Sequence, residues 1–257
     1  MATWRIECMA AADLCAEIPA ESVDFVHTDP PYGIASADKA VKRSNGGPGP
    51  LHVAAFDLAW DADLPLDWIA PMALTVRKGG AGIIWTDANA THLVRAALNA
   101  AGLEPRQNVY WRKLNPPPQP RKNFQSGIEV GIFWRKPGAN LICWRGGGSA
   151  PNVVDAGICP ASERLGHPTQ KPLAVGLWAA NLLMPAGGTF LDPFTGSGTF
   201  AAAAVMQGAG HVIAGDLDPQ WAAVTQQRLE DVAAGRVQRM HTGRRTRGTA
   251  GQIALEV

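Results

Sequence analysis

The architecture of the chain is indicated most clearly by residues 189–218, which read TFLDPFTGSGTFAAAAVMQGAGHVIAGDLD. Thr189–Leu191 and His211–Ala214 are short apolar segments with β-branched or aromatic residues, which predicts two buried strands. Ala201–Gln207, between them, predicts a helix. Because a strand–helix–strand unit brings its two strands side by side in the same direction, this stretch predicts an α/β fold with a parallel sheet.

The turn between the first strand and the helix has the features of a nucleoside site. Gly196 and Gly198 allow the backbone to approach a ligand closely. Asp216 ends the following strand, where an acid can accept hydrogen bonds from both hydroxyls of a ribose. The dinucleotide pattern G-x-G-x-x-G is incomplete, which disfavours NAD. Tight packing between a strand and a helix also produces such turns, so the turn alone is not specific.

A second chemical stretch, Thr28-Asp-Pro-Pro-Tyr32, follows the apolar run Val23–His27. The run predicts a buried parallel strand, so the stretch would lie at the strand end where open α/β sheets bind ligands. Its two prolines cannot continue a sheet ladder and stiffen the backbone. The Asp29 carboxylate and a backbone carbonyl could accept both hydrogens of an exocyclic amine, and the Tyr32 ring could stack on its heterocycle. A simple Pro-Pro turn ending a strand is the alternative.

The remainder of the chain continues the alternation of strands and helices. Further strands are predicted at residues 3–9, 81–85, 108–112 and 130–135, and further helices at 10–17, 63–76, 90–101, 172–184 and 220–232. Gly79 and Gly80 are expected to end the helix at 63–76, and residues 137–164 are expected to form a loose insert. The prediction is a mostly parallel sheet with helices on both faces.

The composition favours one large domain over two small ones. The chain has 257 residues, 46% of them hydrophobic, and a net charge of +1. No stretch approaches the roughly 20 apolar residues of a membrane span, and the N-terminus does not read as a signal peptide. The four cysteines form no C-x-x-C pair, so we expect reduced thiols, a cytoplasmic location and no metal site. We predict a single domain over residues 1–235 and a basic tail over 236–257.

Four motifs together resemble those of S-adenosylmethionine-dependent DNA amino-methyltransferases. They are Asp29-Pro-Pro-Tyr32, His167-Pro-Thr-Gln-Lys-Pro172, the turn at residues 192–199, and Gly215-Asp216. The order, with the catalytic stretch first and the cofactor turn late, is similar to that of the β class, and the matches span residues 3–232. The resemblance implies a Rossmann-like methyltransferase fold with a mostly parallel seven-stranded sheet, helices on both faces and a circularly permuted motif order.

The resemblance also implies a role for each motif residue. The target base would be held by the catalytic stretch Asp29, Pro30, Pro31 and Tyr32. The cofactor S-adenosylmethionine would be bound by Thr169, Lys171, Asp192, Phe194, Gly196, Ser197, Gly198 and Asp216. Asp218 competes with Asp216 for the ribose. Lys171 would close the pocket over the methionine part, although a solvent-exposed lysine at a helix start is the alternative. For His167 a structural role is favoured over catalysis.

Duplex DNA is the partner that the resemblance implies, with the target nucleotide flipped out of the stack. Basic residues in two polar segments are candidate phosphate contacts, namely Lys39, Lys42, Arg43, Arg121 and Lys122. Inserts at about residues 36–60 and 137–165 are candidate DNA-recognition elements. Because solvated faces explain most such charge clusters, these assignments are the least specific. The sequence leaves a homodimer and a cognate restriction enzyme open as further partners.

The implied reaction is methyl transfer to an exocyclic amine, and the family motif favours adenine N6. In the family, Asp before Pro-Pro-Tyr is usual for adenine enzymes, whereas Ser is commoner in cytosine-N4 enzymes. Cytosine N4 is the main alternative. An RNA methyltransferase, a protein-amide methyltransferase and an inactive DNA-binding relic are the more distant ones.

Overall fold

The computed structural model describes residues 2–33, 63–118 and 124–236. Within these ranges, the strands are β1 (Thr3–Cys8), β2 (Val23–Thr28), β3 (Val76–Thr86), β4 (Glu104–Lys113), β5 (Ile128–Arg135), β6 (Val153–Ala156), β7 (Thr189–Asp192) and β8 (His211–Asp216). The helices are α1 (Ala11–Ala16), α2 (Ile69–Thr75), α3 (Thr91–Ala100), α4 (Leu173–Leu183), α5 (Thr199–Met206) and α6 (Pro219–Ala233). None of the helices in these ranges combines the length and the apolar character needed to span a bilayer.

All of these strands form one sheet in the order β1-β8-β7-β2-β3-β5-β4-β6. Neighbouring strands are parallel except on either side of β5, which runs antiparallel to both β3 and β4. The predicted mostly parallel sheet is therefore confirmed. The described part of the chain has eight strands, where seven were expected, and β6 is the addition.

Helices cover both faces of the sheet, as the alternation of strands and helices predicts. Along β2 and β3, Phe25 and Ile83 belong to the core under α4–α6, whereas their neighbours Val26 and Ile84 belong to the core under α1–α3. Successive side chains of a strand point to opposite faces, so an uninterrupted apolar strand is what a sheet buried on both sides requires.

Strand β6 lies inside the segment that was expected to be a loose insert. It pairs in parallel with β4 at the end of the sheet, with Tyr110 opposite Val153. The Trp111 side chain reinforces this pairing, because its Nε1 donates a hydrogen bond of 2.9 Å to the carbonyl of Ala156. A four-residue strand is too short to show a clear alternation of polar and apolar residues, so the prediction for this segment was wrong in part.

The region of Gly79 and Gly80 also differs from the prediction. The helix is limited to Ile69–Thr75, and both glycines lie within β3. Gly79 has a φ of +80°, and a Cβ at this position would lie 2.1 Å from the carbonyl oxygen of Asn140. Glycine is therefore required where the chain after β5 crosses the strand closely, and it does not act as a helix stop.

Gly82→Ala is expected to destabilise the fold by about 3 kcal/mol or more. In the middle of β3, an alanine Cβ would lie 2.3 Å from Cζ2 of Trp134 and 2.7 Å from the carbonyl oxygen of Val26. Urea unfolding measures the effect. Gly127→Ala is the matched control, because its Cβ would meet nothing closer than 4.0 Å, and equal stability losses in the two variants would contradict the packing argument.

Candidate functional site

A cavity of about 420 Å³ opens at the ends of three parallel strands. Asp29 follows β2, Asp192 ends β7 and Asp216 ends β8, and all three line the cavity. Because β2, β7 and β8 are parallel neighbours, their carboxyl ends meet at one edge of the sheet. This is the edge at which open α/β sheets bind their ligands, and the volume falls within the roughly 300–1,000 Å³ of small-molecule sites.

The cavity brings together both halves of the predicted site. Its walls include Asp29, Pro30, Pro31, Tyr32, Thr169, Lys171, Asp192, Phe194, Gly196, Ser197 and Asp216. Gly198 is not part of the wall. It precedes α5 with a φ of +71°, and a Cβ there would lie 2.8 Å from Oγ1 of Thr225. Gly198 thus allows α5 and α6 to pack closely. Packing therefore accounts for this glycine, but between two helices and not between a strand and a helix.

The predicted DNA-contacting residues cannot be placed. Lys39, Lys42, Arg43, Arg121 and Lys122 lie outside the described residues, as does the predicted insert at 36–60.

One half of the cavity is centred on the Asp29 carboxylate. The Tyr32 hydroxyl donates a hydrogen bond to its Oδ1, and the Lys171 ammonium donates one to its Oδ2. The Lys171 Nζ also lies 5.5 Å from the centre of the Tyr32 ring. Burial raises the pKa of Asp29 above its usual value, although the charge of Lys171 opposes this shift. A carboxylate and an aromatic ring are therefore fixed side by side, in the arrangement that the sequence analysis predicts for a base site.

Lys171 is buried, with 7% of its side chain exposed, so a solvent-exposed lysine at the start of α4 is excluded. Its Nζ bridges Asp29 and Glu129, whose Oε2 lies 3.2 Å away. Burial alone would lower the pKa of Lys171, but the two carboxylates outweigh it and raise the pKa. The structure places this ammonium at the Asp29 half of the cavity, whereas the sequence assigned it to the methionine part of the cofactor.

Glu129 is a cavity residue that the sequence analysis missed. It lies near the start of β5, and its Oε1 is 2.8 Å from Nζ of Lys113 at the end of β4. Burial would raise the pKa of Glu129, but Lys171 and Lys113 outweigh it and lower the pKa. The available signal was an acid in the otherwise apolar run from Ile128 to Trp134.

The other half of the cavity is formed by the turn after β7 and the end of β8. Asp216 accepts hydrogen bonds from the backbone N–H of Gly196 at 2.9 Å and of Asp218 at 3.0 Å. Asp218 instead caps α6, because its carboxylate accepts a 2.8 Å hydrogen bond from the N–H of Gln220. Of the two acids, Asp216 is therefore the one whose carboxylate is bonded to the turn after β7.

His167 and Trp221 form a wall beside this turn. Their rings meet edge to face at 4.6 Å. Gly196 has a φ of +48°, and a Cβ there would lie 3.0 Å from His167 Nε2, so the position under the imidazole favours glycine. Burial, assisted by the charge of Lys171, lowers the pKa of His167 to about 4. The imidazole is therefore neutral at pH 7, which fits a wall residue.

Asp192 is the most deeply buried of the three strand-end carboxyls. Its Oδ1 accepts a 2.7 Å hydrogen bond from Thr28 Oγ1 and a 3.3 Å bond from the N–H of Phe194. Burial raises the pKa of Asp192 from 3.8 to about 8. The free protein therefore holds a proton here that the unfolded chain loses above pH 4.

Asp192→Asn is expected to change how the stability of the free protein depends on pH. Because the pKa of Asp192 rises from 3.8 to about 8 on folding, its contribution to stability is complete below pH 4 and is lost as the pH rises toward 8. Asparagine does not titrate, so from pH 5 to pH 8 the variant should gain roughly 3–4 kcal/mol relative to the wild type. Urea unfolding at both pH values measures this, and a pH-independent difference would contradict it.

The described residues contain no group of three or more His, Cys, Asp or Glu side chains that could hold a metal ion. They do fit a nucleoside that carries a cationic amino-acid part. A carboxylate on the turn suits the ribose, a buried carboxyl suits the cation, and aromatic walls suit the flat base.

The sequence model of the N6/N4 methyltransferase family, described as DNA methylase, matches residues 23–213. The chain belongs to this family. The resemblance drawn from the motifs is thereby confirmed, and the chain is a DNA methyltransferase. Members of this family take the methyl group from S-adenosylmethionine.

The comparisons with individual proteins agree with the family. The Type II methyltransferase M2.LlaDCHI of Lactococcus lactis subsp. cremoris is 26% identical over 208 residues, which is 72% of this chain and 74% of the relative. The crystal structure of M1.HpyAVI bound to S-adenosylmethionine superposes with a TM-score of 0.68 at 20% identity, covering 88% of this chain and 99% of the other. The PvuII cytosine-N4-specific DNA methyltransferase gives 0.65 at 14% identity, covering 91% of each chain. These likenesses confirm the methyltransferase fold.

Proposed function

We propose that the chain transfers a methyl group from S-adenosylmethionine to N6 of an adenine flipped out of duplex DNA. The observation that carries the proposal is the Asp29 carboxylate, held beside Tyr32 in the cavity that Asp192 and Asp216 also line. The preference for adenine rests on the aspartate that opens the Pro-Pro-Tyr stretch. Each residue role below is part of this proposal.

The cofactor would lie along the turn after β7. Asp216 would accept hydrogen bonds from the ribose hydroxyls, and Asp192 would face the methionine end. Phe194, which packs edge to face on Trp68 at 5.2 Å, would form a fixed apolar wall. Thr169 and Ser197 would complete the enclosure. S-adenosylmethionine supplies a methyl group on a positively charged sulfur.

Asp29 and Pro30 would activate the target amine. The lone pair of an exocyclic amine is delocalised into its ring, which makes the nitrogen a weak nucleophile. The Asp29 carboxylate and the Pro30 carbonyl would each accept one of its hydrogens and so favour a localised lone pair, while Tyr32 stacks on the base. As the N–C bond forms and the C–S bond breaks, the nitrogen would lose a proton, and Asp29 would accept it. The catalytic contribution is orientation and electrostatics.

Cytosine N4 is the second candidate for the methylated atom. Its amine also has two hydrogens and a conjugated lone pair, so the same two acceptors serve it, and either base can stack on Tyr32. An RNA methyltransferase and an inactive DNA-binding protein are the more distant alternatives.

Nucleoside mass spectrometry of DNA from expressing cells tests the proposal. Wild-type expression should add N6-methyladenine, and expression of Asp29→Ala should not. N4-methylcytosine without N6-methyladenine would contradict the adenine assignment and keep the residue roles. Absence of both, in cells and with purified protein on duplex DNA, would contradict the proposed activity. If the protein methylated RNA and not DNA, RNA would take the place of duplex DNA as the proposed substrate.

The route of DNA to the cavity is a further part of the proposal. The segment 137–165, which supplies β6, would contact DNA, and Trp144, with 39% of its surface exposed, offers a ring there. The basic residues Lys39, Lys42, Arg43, Arg121 and Lys122 would bind phosphates. A homodimer and a cognate restriction enzyme stay predictions.

A further inference from the structure

A chain of four alternating charges runs from the cavity into the sheet. It passes from Asp29 to Lys171, then to Glu129 and to Lys113. Asp29, Lys171 and Glu129 line the cavity. Lys113 lies behind them, with 11% of its side chain exposed. Each buried charge therefore has a neighbour of the opposite sign, which is the condition under which buried ions are tolerated.

This arrangement raises a problem for the proposed chemistry. The Asp29 carboxylate must accept a hydrogen from the target amine, yet in the free protein it accepts hydrogen bonds from the Lys171 ammonium and the Tyr32 hydroxyl. A neutral amine cannot compete well with an ammonium ion, because hydrogen bonds between charged groups are about twice as strong as neutral ones. A buried ammonium also cannot simply be released, since an unpaired buried charge is costly.

We propose that Glu129 is a positioning residue that takes over the Lys171 ammonium when the amine of the target base occupies Asp29. The inference rests on the proposed function, because it assigns Asp29 to the base. Glu129 acts through Lys171 and does not itself contact the reacting atoms. The exchange is a shift of one hydrogen bond within the ion chain and needs no separation of charge.

The position of Glu129 suits this role. Its Oε2 lies 3.2 Å from Lys171 Nζ, so a small movement of the ammonium completes the transfer. Its other oxygen is held by Lys113 at 2.8 Å, and the Lys113 Nζ lies 5.2 Å from the centre of the Trp111 ring. Trp111 is paired with Glu129 in the β4–β5 register. The acceptor is thus fixed on paired strands, as a residue that must orient a mobile lysine should be.

Glu129→Gln tests the proposal, with Glu104→Gln as the matched control. Glu104 also lies on the β4–β5 pair and forms a 2.8 Å ion pair with Arg135, but at the opposite end of these strands. Glu129→Gln should lower kcat for DNA methylation by roughly 10- to 100-fold and leave the Kd for S-adenosylmethionine unchanged. Glu129→Asp, which restores the charge, should recover part of kcat. Glu104→Gln should match the wild type.

A second readout is the titration of Asp29, followed by carboxyl-carbon NMR in the free protein. Among the residues that the structure describes, the charged or titratable groups that face Asp29 are Lys171, Glu129, Tyr32 and Asp192. The Glu129 charge raises the pKa of Asp29, so Glu129→Gln should lower it. The acid limb of the kcat/KM profile, where Asp29 of the free enzyme becomes protonated, should move to lower pH with it. Because loss of the Glu129 charge is enough to produce this shift, the titration tests the coupling along the ion chain. The loss of kcat and its partial recovery in Glu129→Asp test the positioning role.

The outcomes separate the two proposals. If the wild type methylates DNA but folded Glu129→Gln keeps its kcat, the positioning role of Glu129 is wrong and the proposed function stands. If the wild type methylates no nucleobase, the proposed function is wrong, and the positioning role falls with it. In that case an unmoved Asp29 titration in Glu129→Gln would also contradict the coupling along the ion chain. If Glu129→Gln does not fold, Glu129→Asp is the test. Its shorter side chain puts the carboxylate farther from Lys171 Nζ, so its kcat should fall below that of Glu104→Gln, and an equal kcat would contradict the positioning role.

Discussion

Asp29→Ala is expected to abolish DNA methylation, with a loss of about 10³-fold or more, while the protein still folds and binds its cofactor. The carboxylate is the charged acceptor proposed for the target amine, and removing one preorganised hydrogen-bonding group commonly costs 10²–10³-fold. The fold should survive because Lys171, the buried partner of Asp29, keeps Glu129 as a second carboxylate.

Transfer of a labelled methyl group to duplex DNA measures the activity, and calorimetry measures the Kd for S-adenosylmethionine. The Kd should stay within about tenfold of the wild type, which corresponds to 1.4 kcal/mol. A larger loss of cofactor affinity with little loss of turnover would place Asp29 in the wrong half of the cavity.

Asp216→Ala is expected to show the opposite pattern and weaken cofactor binding most. Hydrogen bonds from the ribose hydroxyls to a carboxylate are worth about 1.5–3 kcal/mol each, so the Kd should rise by roughly 10- to 150-fold for each bond lost. Asp216 also accepts hydrogen bonds from the N–H groups of Gly196 and Asp218. The variant should therefore loosen the turn as well.

Asp218→Ala is the control for this change, since it removes a neighbouring acid of the same chemistry. Because Asp218 caps α6, its loss should cost roughly 1 kcal/mol of folding stability and leave the Kd close to the wild-type value. If calorimetry showed the larger loss of affinity for Asp218→Ala, the ribose would belong to Asp218.

The convergence of Asp29, Asp192 and Asp216 could be predicted from the sequence because each follows or ends a parallel strand. Parallel strands all point their carboxyl ends to one edge, so position along the strand is sufficient to place these residues. Glu129 escaped this reasoning because β5 is antiparallel to its neighbours. The first residues of β5, and not the last, therefore lie at the cavity edge. The sequence of a strand does not show in which direction the strand runs.

The other differences also have local causes. The pattern Gly-x-Gly does not say which glycine meets the ligand, and Gly198 meets Thr225 instead. A pair of glycines after a helical segment is typical of a helix end, and Gly79 and Gly80 fit that pattern. The helix nevertheless ends earlier, at Thr75, and both glycines lie within β3. The motif at residues 167–172 predicted that Lys171 lines the cavity. Its contact with Asp29 was not predicted, because it depends on how the segment before α4 packs against β2 and β5.

The pairing of β1 with β8 has a consequence for the protein during its synthesis. Thr3 Oγ1 and His211 Nδ1 lie 2.8 Å apart although 208 residues separate them. At a translation rate of roughly 5–20 residues per second, the first strand waits about 10–40 s for its neighbour. Asp29 leaves the ribosome long before Asp192 and Asp216, so the nascent chain cannot yet form the cavity that all three residues line. Methylation can therefore begin only when translation has passed the last strand, and until then an unpaired β1 is open to chaperones.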